Sequence, residues 1–295
     1  MKTVAPIAVI DALEDATWLD PVVDLEHKLS HALIKPQWLR DLLHGVPQGH
    51  PLHPPLVQVP LGAWFSAAFL DLVPGSEDAS RRLVGAGVLA TVPAVAAGYT
   101  DFAALHPQQM RVAVVHASAN FTAVGLYSVS WLARRSGRHG LGKALSFAGL
   151  GIAGLGGFLG GHLSFRQAAG PNHAEDVPHR VEPGWHSLGP VDDLPTGTLT
   201  RRAVGEVPVV VLRQESSDAV FVLADTCSHL SGPLHEGEVT TAKPGEGPCV
   251  TCPWHGSTFS LRSGAVVNGP ATAPQPRFST RVVDGRLEVS LPGAG

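Results

Sequence analysis

Apolar residues are concentrated in four long segments in the first part of the chain. They cover residues 56–73, 83–100, 112–133 and 141–165. Each segment has roughly 18 to 25 residues, the length that an α-helix needs to cross the hydrocarbon core of a bilayer. The pattern therefore predicts an all-α, four-helix transmembrane domain over residues 50–165. The alternative is four buried helices of a soluble all-α domain, but these segments lack the polar face that such helices show to water.

The fourth segment has a composition typical of helices that pack closely in lipid. Its stretch GLGIAGLGGFLGG contains two overlapping GxxxG spacings, Gly156 with Gly160 and Gly157 with Gly161. In water this glycine density would cost helix stability. In a bilayer, small residues let neighbouring helices approach closely, so the glycines favour the membrane interpretation.

Residues 1–49 combine apolar and charged positions at helical spacing, as in VVDLEHKLSHALIKPQWLRDLL. This pattern predicts an amphipathic segment that breaks near Pro36. Two placements remain open, along a membrane surface or against another domain. Because Asp11, Glu14 and Asp15 interrupt the extreme N-terminus, no cleavable signal peptide is expected.

After the apolar segments the pattern changes twice. Residues 166–184 are polar and rich in proline and glycine, which predicts a linker. Residues 185–292 contain short β-type runs such as VPVVVL, AVFVLA and RLEVSL, separated by Gly, Pro and Asp. This spacing predicts a small antiparallel all-β domain, which makes the chain a multidomain protein.

The composition narrows the classes of function. The chain has 295 residues, of which 16% are charged, and its formal net charge is −4. Without a basic run, there is no reason to expect nucleic-acid binding. Three cysteines cannot form a complete disulfide framework, so the thiols are expected to be free, metal-ligating or redox-active.

Two cysteine–histidine pairs lie in turns of the β domain. Cys227-x-His229 is followed, after a gap of 22 residues, by Cys252-x-x-His255. Zinc accepts two cysteines and two histidines, but its usual spacings pair cysteine with cysteine and histidine with histidine. Mixed pairs suit a [2Fe–2S] cluster with two thiolates on one iron and two imidazoles on the other.

The residues around these pairs resemble a Rieske domain. CSHLSGPLHEG and CPWHGSTFSLRSGAVVNGP match both cluster-binding loops, and WHSLGPVDDLPTG resembles the first strand, so the resemblance covers about residues 185–292. It implies an antiparallel β sandwich with a cluster-binding subdomain. It also implies that Cys227 and Cys252 ligate the buried iron, and His229 and His255 the exposed one.

Departures from the family pattern refine this expectation. Rieske proteins of cytochrome bc complexes carry a second cysteine in each loop, joined as a disulfide. Here Ser231 and Trp254 occupy those places, so the resemblance implies the soluble ferredoxin type. Cys249 precedes the second loop within a predicted strand, where we expect a buried thiol without a ligand role.

Two further positions are expected to tune the redox potential through hydrogen bonds to sulfur. Ser257 keeps a hydroxyl where high-potential Rieske proteins use one to contact a bridging sulfide. Phe259 stands where those proteins carry a tyrosine hydroxyl that donates to a cysteine sulfur. We therefore expect a potential below the upper end of the range of about −150 to +300 mV.

Histidines also mark the predicted membrane domain. About residues 47–170 resemble the uncharacterised membrane family DUF2231. The resemblance lies in the stretches GHPLHPPLVQVPLGAW, AGYTDF, VAVVHASANF and GGFLGGHLSF. If four helices alternate in direction, one membrane face collects a set of polar residues: His50, His53, Asp101, His106, His116 and His162. Opposed imidazoles there suit haem b or another metal, with His116 and His162 as the preferred pair and His53 as a third candidate. A quinone site and purely structural histidines are the alternatives, and His50 and His53 suit a helix cap.

The distribution of basic residues predicts an orientation. The loops on one side contain most of the lysines and arginines: Arg81, Arg82, Arg134, Arg135, Arg138 and Lys143. The opposite side has Arg40, Arg111 and Arg166. The positive-inside rule then places the β domain outside a bacterial cell membrane. Arg134 and Arg135 also match an internal twin-arginine export signal weakly.

These patterns favour a membrane-anchored carrier of single electrons between a redox partner or quinol and an acceptor. One alternative is the iron–sulfur component of a multi-subunit oxygenase or quinol-oxidising system. An alternative of another class is a membrane redox or iron sensor. An autonomous Rieske oxygenase is disfavoured, because only 40 residues follow His255. No flavin or nicotinamide fingerprint is present, so electrons are expected from a separate protein or from quinol, and no catalytic residue is assigned.

Overall fold

The computed structural model describes residues 5–215, 217, 219–241 and 247–292. The chain divides into two compact units. The first, here the helical unit, comprises Met1–Pro36 and Leu52–Ala169. The second, here the β unit, comprises Gln37–Pro51 and Gly170–Gly295. The predicted fold class, a helical domain followed by an all-β domain, is confirmed.

Eight α-helices occur in the described part of the chain. In order they are α1 (Ala5–Glu14), α2 (Asp20–Leu33), α3 (Gln37–His44), α4 (His53–Leu70), α5 (Glu77–Phe102), α6 (Pro107–Arg135), α7 (His139–Phe165) and α8 (Val177–Arg180). The four predicted apolar segments correspond to α4 to α7. Of the described helices, α5, α6 and α7 are long and apolar enough to cross a membrane. Because α4 is not among them, the predicted count of four spans is not confirmed.

An aromatic pair lies at the core of the helical unit. Trp64 of α4 stacks on Tyr127 of α6, with ring centroids 4.0 Å apart and planes 9° apart. A Cβ atom added at Gly87 of α5 would lie 2.3 Å from the Trp64 indole nitrogen. Glycine is therefore required at this position for α5 to approach the indole closely, as expected for small residues at helix contacts in lipid.

Arg134 was expected to be a charge in a loop, but the structure places its side chain in the interior of the helical unit. Its side chain and that of Asp71 are both fully buried, and they form an ion pair with an Nη2–Oδ2 distance of 2.6 Å. Ser80 and Ser146 complete the hydrogen bonds around the guanidinium at 3.1 Å each. A buried guanidinium needs such partners to offset its desolvation. Arg134 is thus a buried charge of the helical unit rather than an exposed loop charge.

Ten strands form two sheets in the described part of the β unit. They are β1 (His186–Pro190), β2 (Leu199–Val204), β3 (Val207–Arg213), β4 (Val220–Ala224), β5 (Glu238–Thr241), β6 (Pro248–Thr251), β7 (Thr258–Ser260), β8 (Val266–Asn268), β9 (Arg277–Val283) and β10 (Arg286–Ser290). The larger sheet has the order β1-β10-β9-β4-β3-β2 and the smaller β5-β6-β7-β8, and all their pairings are antiparallel.

Strand β3 connects the two cores of the β unit. Because successive side chains on a strand point to opposite faces, its valines divide between two apolar clusters. Val209 and Val211 belong to one cluster with Phe278. Val210 belongs to the other, which contains Cys227 and Cys252. Through Val210, the larger sheet thereby packs against the cysteines of the two loops.

Two segments outside the predicted β domain belong to the β unit. Residues 37–51, expected to be part of an amphipathic N-terminal segment, cluster with it. Ala174, Val177 and Val181 of the predicted linker are buried in its core. Their spacing of three and four residues gives the short segment one apolar face, and burial of that face explains why this stretch is ordered rather than an open linker.

Candidate metal centre

Two tight turns present the cysteine–histidine pairs. In the first, the amide of Cys227 donates to the carbonyl of Gly232 at 2.9 Å, and Ser231 has a positive φ of 64°. In the second, the amide of Cys252 donates to the carbonyl of Ser257 at 2.8 Å. Each turn is closed by its own backbone, so its cysteine and histidine are held on one short loop.

The two cysteine thiols meet in the interior between these loops. Cys227 and Cys252 are 1% and 4% exposed. The hydrogen bond from the Cys227 thiol lowers the pKa of Cys252 to about 7, although burial opposes this shift. The same hydrogen bond raises the pKa of Cys227, and burial raises it further. One sulfur of the pair is thus prepared to be a thiolate, the form that ligates metal.

Backbone amides also face the two sulfurs. The N–H groups of His229 and Leu230 donate to the sulfur of Cys227, and those of Trp254 and His255 donate to that of Cys252. Hydrogen bonds of this kind stabilise negative charge on sulfur. They fit a site in which both sulfurs carry thiolate character when metal is bound.

The two histidines lie farther from the core than the cysteines. The rings of His229 and His255 have centroids 5.1 Å apart and planes 83° apart, and both residues are half-buried. The four side chains are therefore divided into a buried sulfur pair and a more exposed nitrogen pair. This is the division that mixed ligation of two irons requires.

The distances between the donor atoms distinguish a site for a two-iron cluster from a site for a single zinc ion. Tetrahedral zinc with bonds of about 2.0–2.3 Å brings all its ligand atoms within about 4 Å of one another. In the described part of the chain, no three of the donor atoms of Cys227, His229, Cys252 and His255 all lie within 4.8 Å of one another. The ligand set fits a [2Fe–2S] cluster better than one ion.

The two expected tuning residues lie beside this ligand set. The Ser257 hydroxyl is buried and accepts a hydrogen bond from the amide of Ala271 at 2.9 Å, which leaves its own proton for another acceptor. Phe259 is fully buried in the apolar cluster that contains Cys227 and Cys252. Cys249 is buried on β6, opposite Thr240 and Ser260, and is not part of that cluster.

Gln275 is a supporting residue that the sequence motifs did not reveal. Its amide nitrogen donates to the carbonyls of Ala224 and Thr226 at 2.8 and 2.5 Å, and its Oε1 accepts from the amide of Ser228 at 3.0 Å. The side chain is 2% exposed, so it fixes the first loop from inside the domain. Its only signal in the sequence is one polar residue between two prolines, just before a β-type run.

Segments distant in sequence also hold the site. The carboxylate of Asp41 accepts a hydrogen bond from the amide of Gly269 at 2.8 Å. His173 Nδ1 lies 2.9 Å from the hydroxyl of Ser231, the residue that replaces a disulfide cysteine. A polar contact from outside the two loops thus holds Ser231, one of the two positions where bc-type Rieske proteins carry the disulfide.

The histidines of the helical unit are brought together only in part. His53 of α4 and His116 of α6 are neighbours, with ring centroids 6.3 Å apart and planes 78° apart. His162 instead pairs with Glu14, with an Nε2–Oε1 distance of 2.9 Å. The preferred pair of His116 and His162 was therefore wrong. His116 contacts the carbonyl of Gly156, and His162 lies six residues farther along α7, about 9 Å at 1.5 Å per residue.

Comparison with known proteins agrees with these two units. Residues 184–279 match the Rieske [2Fe-2S] domain family, and residues 49–172 match the family described as predicted membrane protein DUF2231. The anthranilate 1,2-dioxygenase ferredoxin subunit of Burkholderia cepacia is 36% identical over 36% of this chain and 92% of its own length. Ferredoxin CarAc of Metapseudomonas resinovorans is 30% identical over the same shares.

Among solved structures, the chain matches the ferredoxin of carbazole 1,9a-dioxygenase from Nocardioides aromaticivorans IC177. It is 24% identical over 36% of this chain and 97% of its own, with a TM-score of 0.33. The identification rests on the sequence match to the curated ferredoxins, which the chain covers almost completely, and on the matching domain. The chain belongs to the Rieske [2Fe–2S] family, and its Rieske domain implies a [2Fe–2S] cluster.

Proposed function

We propose that this protein is a membrane-anchored carrier of single electrons. Cys227 and Cys252 hold the buried iron of a [2Fe–2S] cluster, and His229 and His255 hold the exposed iron. When bound, such a cluster accepts and releases one electron. The observation that carries the proposal is the division of these four side chains into a buried sulfur pair and a half-buried nitrogen pair.

The exposed end of the site provides a surface for a redox partner. His229 and His255 are half-buried, and the neighbouring Pro253 and Trp254 are exposed. Trp254 is 49% exposed and lies beside His255, with ring centroids 6.5 Å apart. Aromatic residues of this kind are enriched at protein interfaces, so this surface is where a partner docks.

The relatives support an oxygenase system as the setting for electron transfer. The curated relatives are ferredoxin subunits of dioxygenases, such as the anthranilate and 3-phenylpropionate systems. By likeness, this chain receives an electron from a reductase and passes it to a terminal oxygenase or a comparable acceptor. Quinol oxidation and redox sensing are the competing roles. Faster reduction of the cluster by a soluble reductase than by quinol would favour the oxygenase-type role over quinol oxidation.

The helical unit supplies the membrane anchor in this proposal. It is supported by three apolar helices and by the match to a predicted membrane family. With Arg134 removed from the count, Arg81, Arg82, Arg135, Arg138 and Lys143 remain on one side against Arg40, Arg111 and Arg166 on the other. The positive-inside rule still favours the β unit on the exterior face.

Cysteine variants test the ligand assignment. In detergent-purified full-length protein, Cys227→Ser and Cys252→Ser are expected to abolish the EPR signal of the reduced cluster. Cys249→Ser is the matched control and is expected to keep the signal, because Cys249 lies outside the ligand set. An unchanged signal in Cys227→Ser or Cys252→Ser, or zinc in place of iron in the wild type, would overturn the assignment.

A further inference from the structure

His53 and His116 form a second pair of opposed imidazoles, within the helical unit. They come from α4 and α6, 63 residues apart in sequence, and their ring centroids are 6.3 Å apart. Neither belongs to the cysteine–histidine loops of the β unit. The pair is therefore a site separate from the proposed electron-carrying cluster.

Each ring is fixed by one hydrogen bond to a backbone carbonyl of another helix. His53 Nδ1 lies 2.8 Å from the carbonyl oxygen of Ala94 on α5, and His116 Nδ1 lies 2.7 Å from that of Gly156 on α7. A carbonyl oxygen only accepts, so Nδ1 must carry the proton in both rings. In the neutral imidazole, Nε2 then carries the lone pair. Metal-ligating histidines typically hold their other nitrogen in this way.

Asn120 does not occupy the Nε2 position of His116. Its amide nitrogen donates to the carbonyl of His116 at 2.8 Å. It is also 3.3 Å from Nε2 and 3.5 Å from Nδ1 of the same ring. Because the amide is nearly equidistant from both ring nitrogens, it does not lie along the Nε2 lone pair.

The distance between the ring centroids is compatible with two imidazoles on opposite sides of one metal. A metal–nitrogen bond of about 2.0–2.1 Å places each ring centre about 3.2 Å from the metal, so two such centres are about 6.4 Å apart. The observed separation is 6.3 Å. In this arrangement both ring planes contain the metal–nitrogen axis, so the observed angle of 78° between them is allowed.

The number of protein ligands indicates whether the pair suits a metal held in a macrocycle or a bare metal ion. Among the described residues, no His, Cys, Asp or Glu completes a three-ligand group with His53 and His116, with donor atoms all within 4.8 Å of one another. Two imidazoles alone leave most positions of a transition metal open. A porphyrin supplies four equatorial nitrogens and needs only two axial ligands, which is what this pair offers.

Glycines next to the two rings leave room for this orientation. A Cβ added at Gly98 of α5 would lie 2.7 Å from His53 Nδ1, and one at Gly160 of α7 would lie 3.1 Å from His116 Cε1. Both histidines are half-buried rather than enclosed in the packed core. Part of each histidine is therefore accessible at the surface of the helical unit. We propose that His53 and His116 are the axial ligands of a b-type haem in the helical unit.

The test uses the full-length protein purified in detergent from haem-sufficient cells. The wild type is expected to contain haem b by pyridine haemochrome assay and to show a reduced-minus-oxidised α band. His53→Ala and His116→Ala are expected to lose both. His162→Ala is the matched control, because His162 lies in the same unit but pairs with Glu14, and it is expected to keep both.

A second pair of variants keeps a donor atom at each position. His53→Met and His116→Met are expected to change the low-spin EPR g values of the oxidised haem, since thioether replaces imidazole on one side. The Rieske EPR signal, recorded on the same samples, reports separately on the cluster. Three results would overturn the proposal: haem-free wild-type protein, an unchanged haem spectrum in the Met variants, or equal haem loss in His162→Ala.

Discussion

The carboxylate of Asp41 and the amide of Gly269 are separated by 228 residues, yet they form a hydrogen bond of 2.8 Å. This contact joins α3 to the loop whose Ala271 amide donates to the buried Ser257 hydroxyl. The chain segment before the first apolar helix is therefore part of the support of the proposed cluster site. Within this segment, α3 is thus tied to the β unit through Asp41, whereas apolar residues such as Trp38 and Leu42 are exposed.

Removal of this contact is expected to destabilise the site. Asp41→Ala leaves the Gly269 N–H without its partner, which costs about 1–3 kcal/mol for a buried donor. The expected result is a lower midpoint temperature for loss of the Rieske visible spectrum on heating. Asp24→Ala, an exposed carboxylate on α2, is the control and is expected to leave this midpoint unchanged. Equal midpoints for Asp41→Ala and the wild type would show that the contact does not support the loop.

Hydroxyl groups near the proposed cluster are expected to set its potential. Phe259→Tyr adds a donor within the apolar cluster that contains both cysteines, and the potential should rise. A hydrogen bond of about 0.5–1.5 kcal/mol corresponds to roughly 20–60 mV for one electron. Ser257→Ala should lower the potential by a similar amount. Redox titration followed by EPR measures both shifts, and Phe259→Leu is the hydroxyl-free control. A rise in Phe259→Leu equal to that in Phe259→Tyr would show that the hydroxyl is not responsible.

The Arg134–Asp71 pair is expected to be essential for the stability of the helical unit. Asp71→Ala leaves a fully buried guanidinium without its counterion, which costs about 3–5 kcal/mol. The exposed pair of Arg82 and Asp78 gives the matched control, because solvent screens this pair and Asp78→Ala should change stability much less. Thermal unfolding of the detergent-purified variants measures the difference. Similar stability of the two variants would mean that the buried pair is not needed.

The orientation is expected to place the β unit outside the cell membrane. Ser187→Cys, on β1, should react with a membrane-impermeant maleimide in intact cells, since Ser187 is exposed. Ser136→Cys, after the C-terminus of α6, should react only after the membrane is permeabilised. The three native cysteines are buried and give a low background. The reverse labelling pattern would place the β unit in the cytoplasm.

Local patterns allowed the sequence to predict both units and the proposed ligands. The spacing of Cys227, His229, Cys252 and His255 is contained in two short turns, so it is visible without the fold. The apolar segments likewise predicted α4 to α7. These features depend on residues that are close together along the chain, so they can be predicted from the sequence alone.

Long-range polar contacts were not predictable in the same way. Arg134 was expected to be a loop charge, because nothing near it in sequence indicates that Asp71 lies 2.6 Å away. His162 was grouped with His116 because of the alternating helix direction and because both lie inside apolar segments. These features fix the end of a helix but not its rotation or depth. The position of His162 beside Glu14 depends on how α1 packs, and the sequence contains no motif for that contact.

The most direct test of the account is a redox titration of native membranes and of the soluble fraction from cells that produce the full chain. The expected result is a Rieske-type EPR signal of low average g value, found with the membranes, that appears and disappears reversibly as a one-electron Nernst curve. Absence of that signal from the membrane fraction, or a signal found only in the soluble fraction, would contradict the claim that this chain is a membrane-anchored Rieske electron carrier.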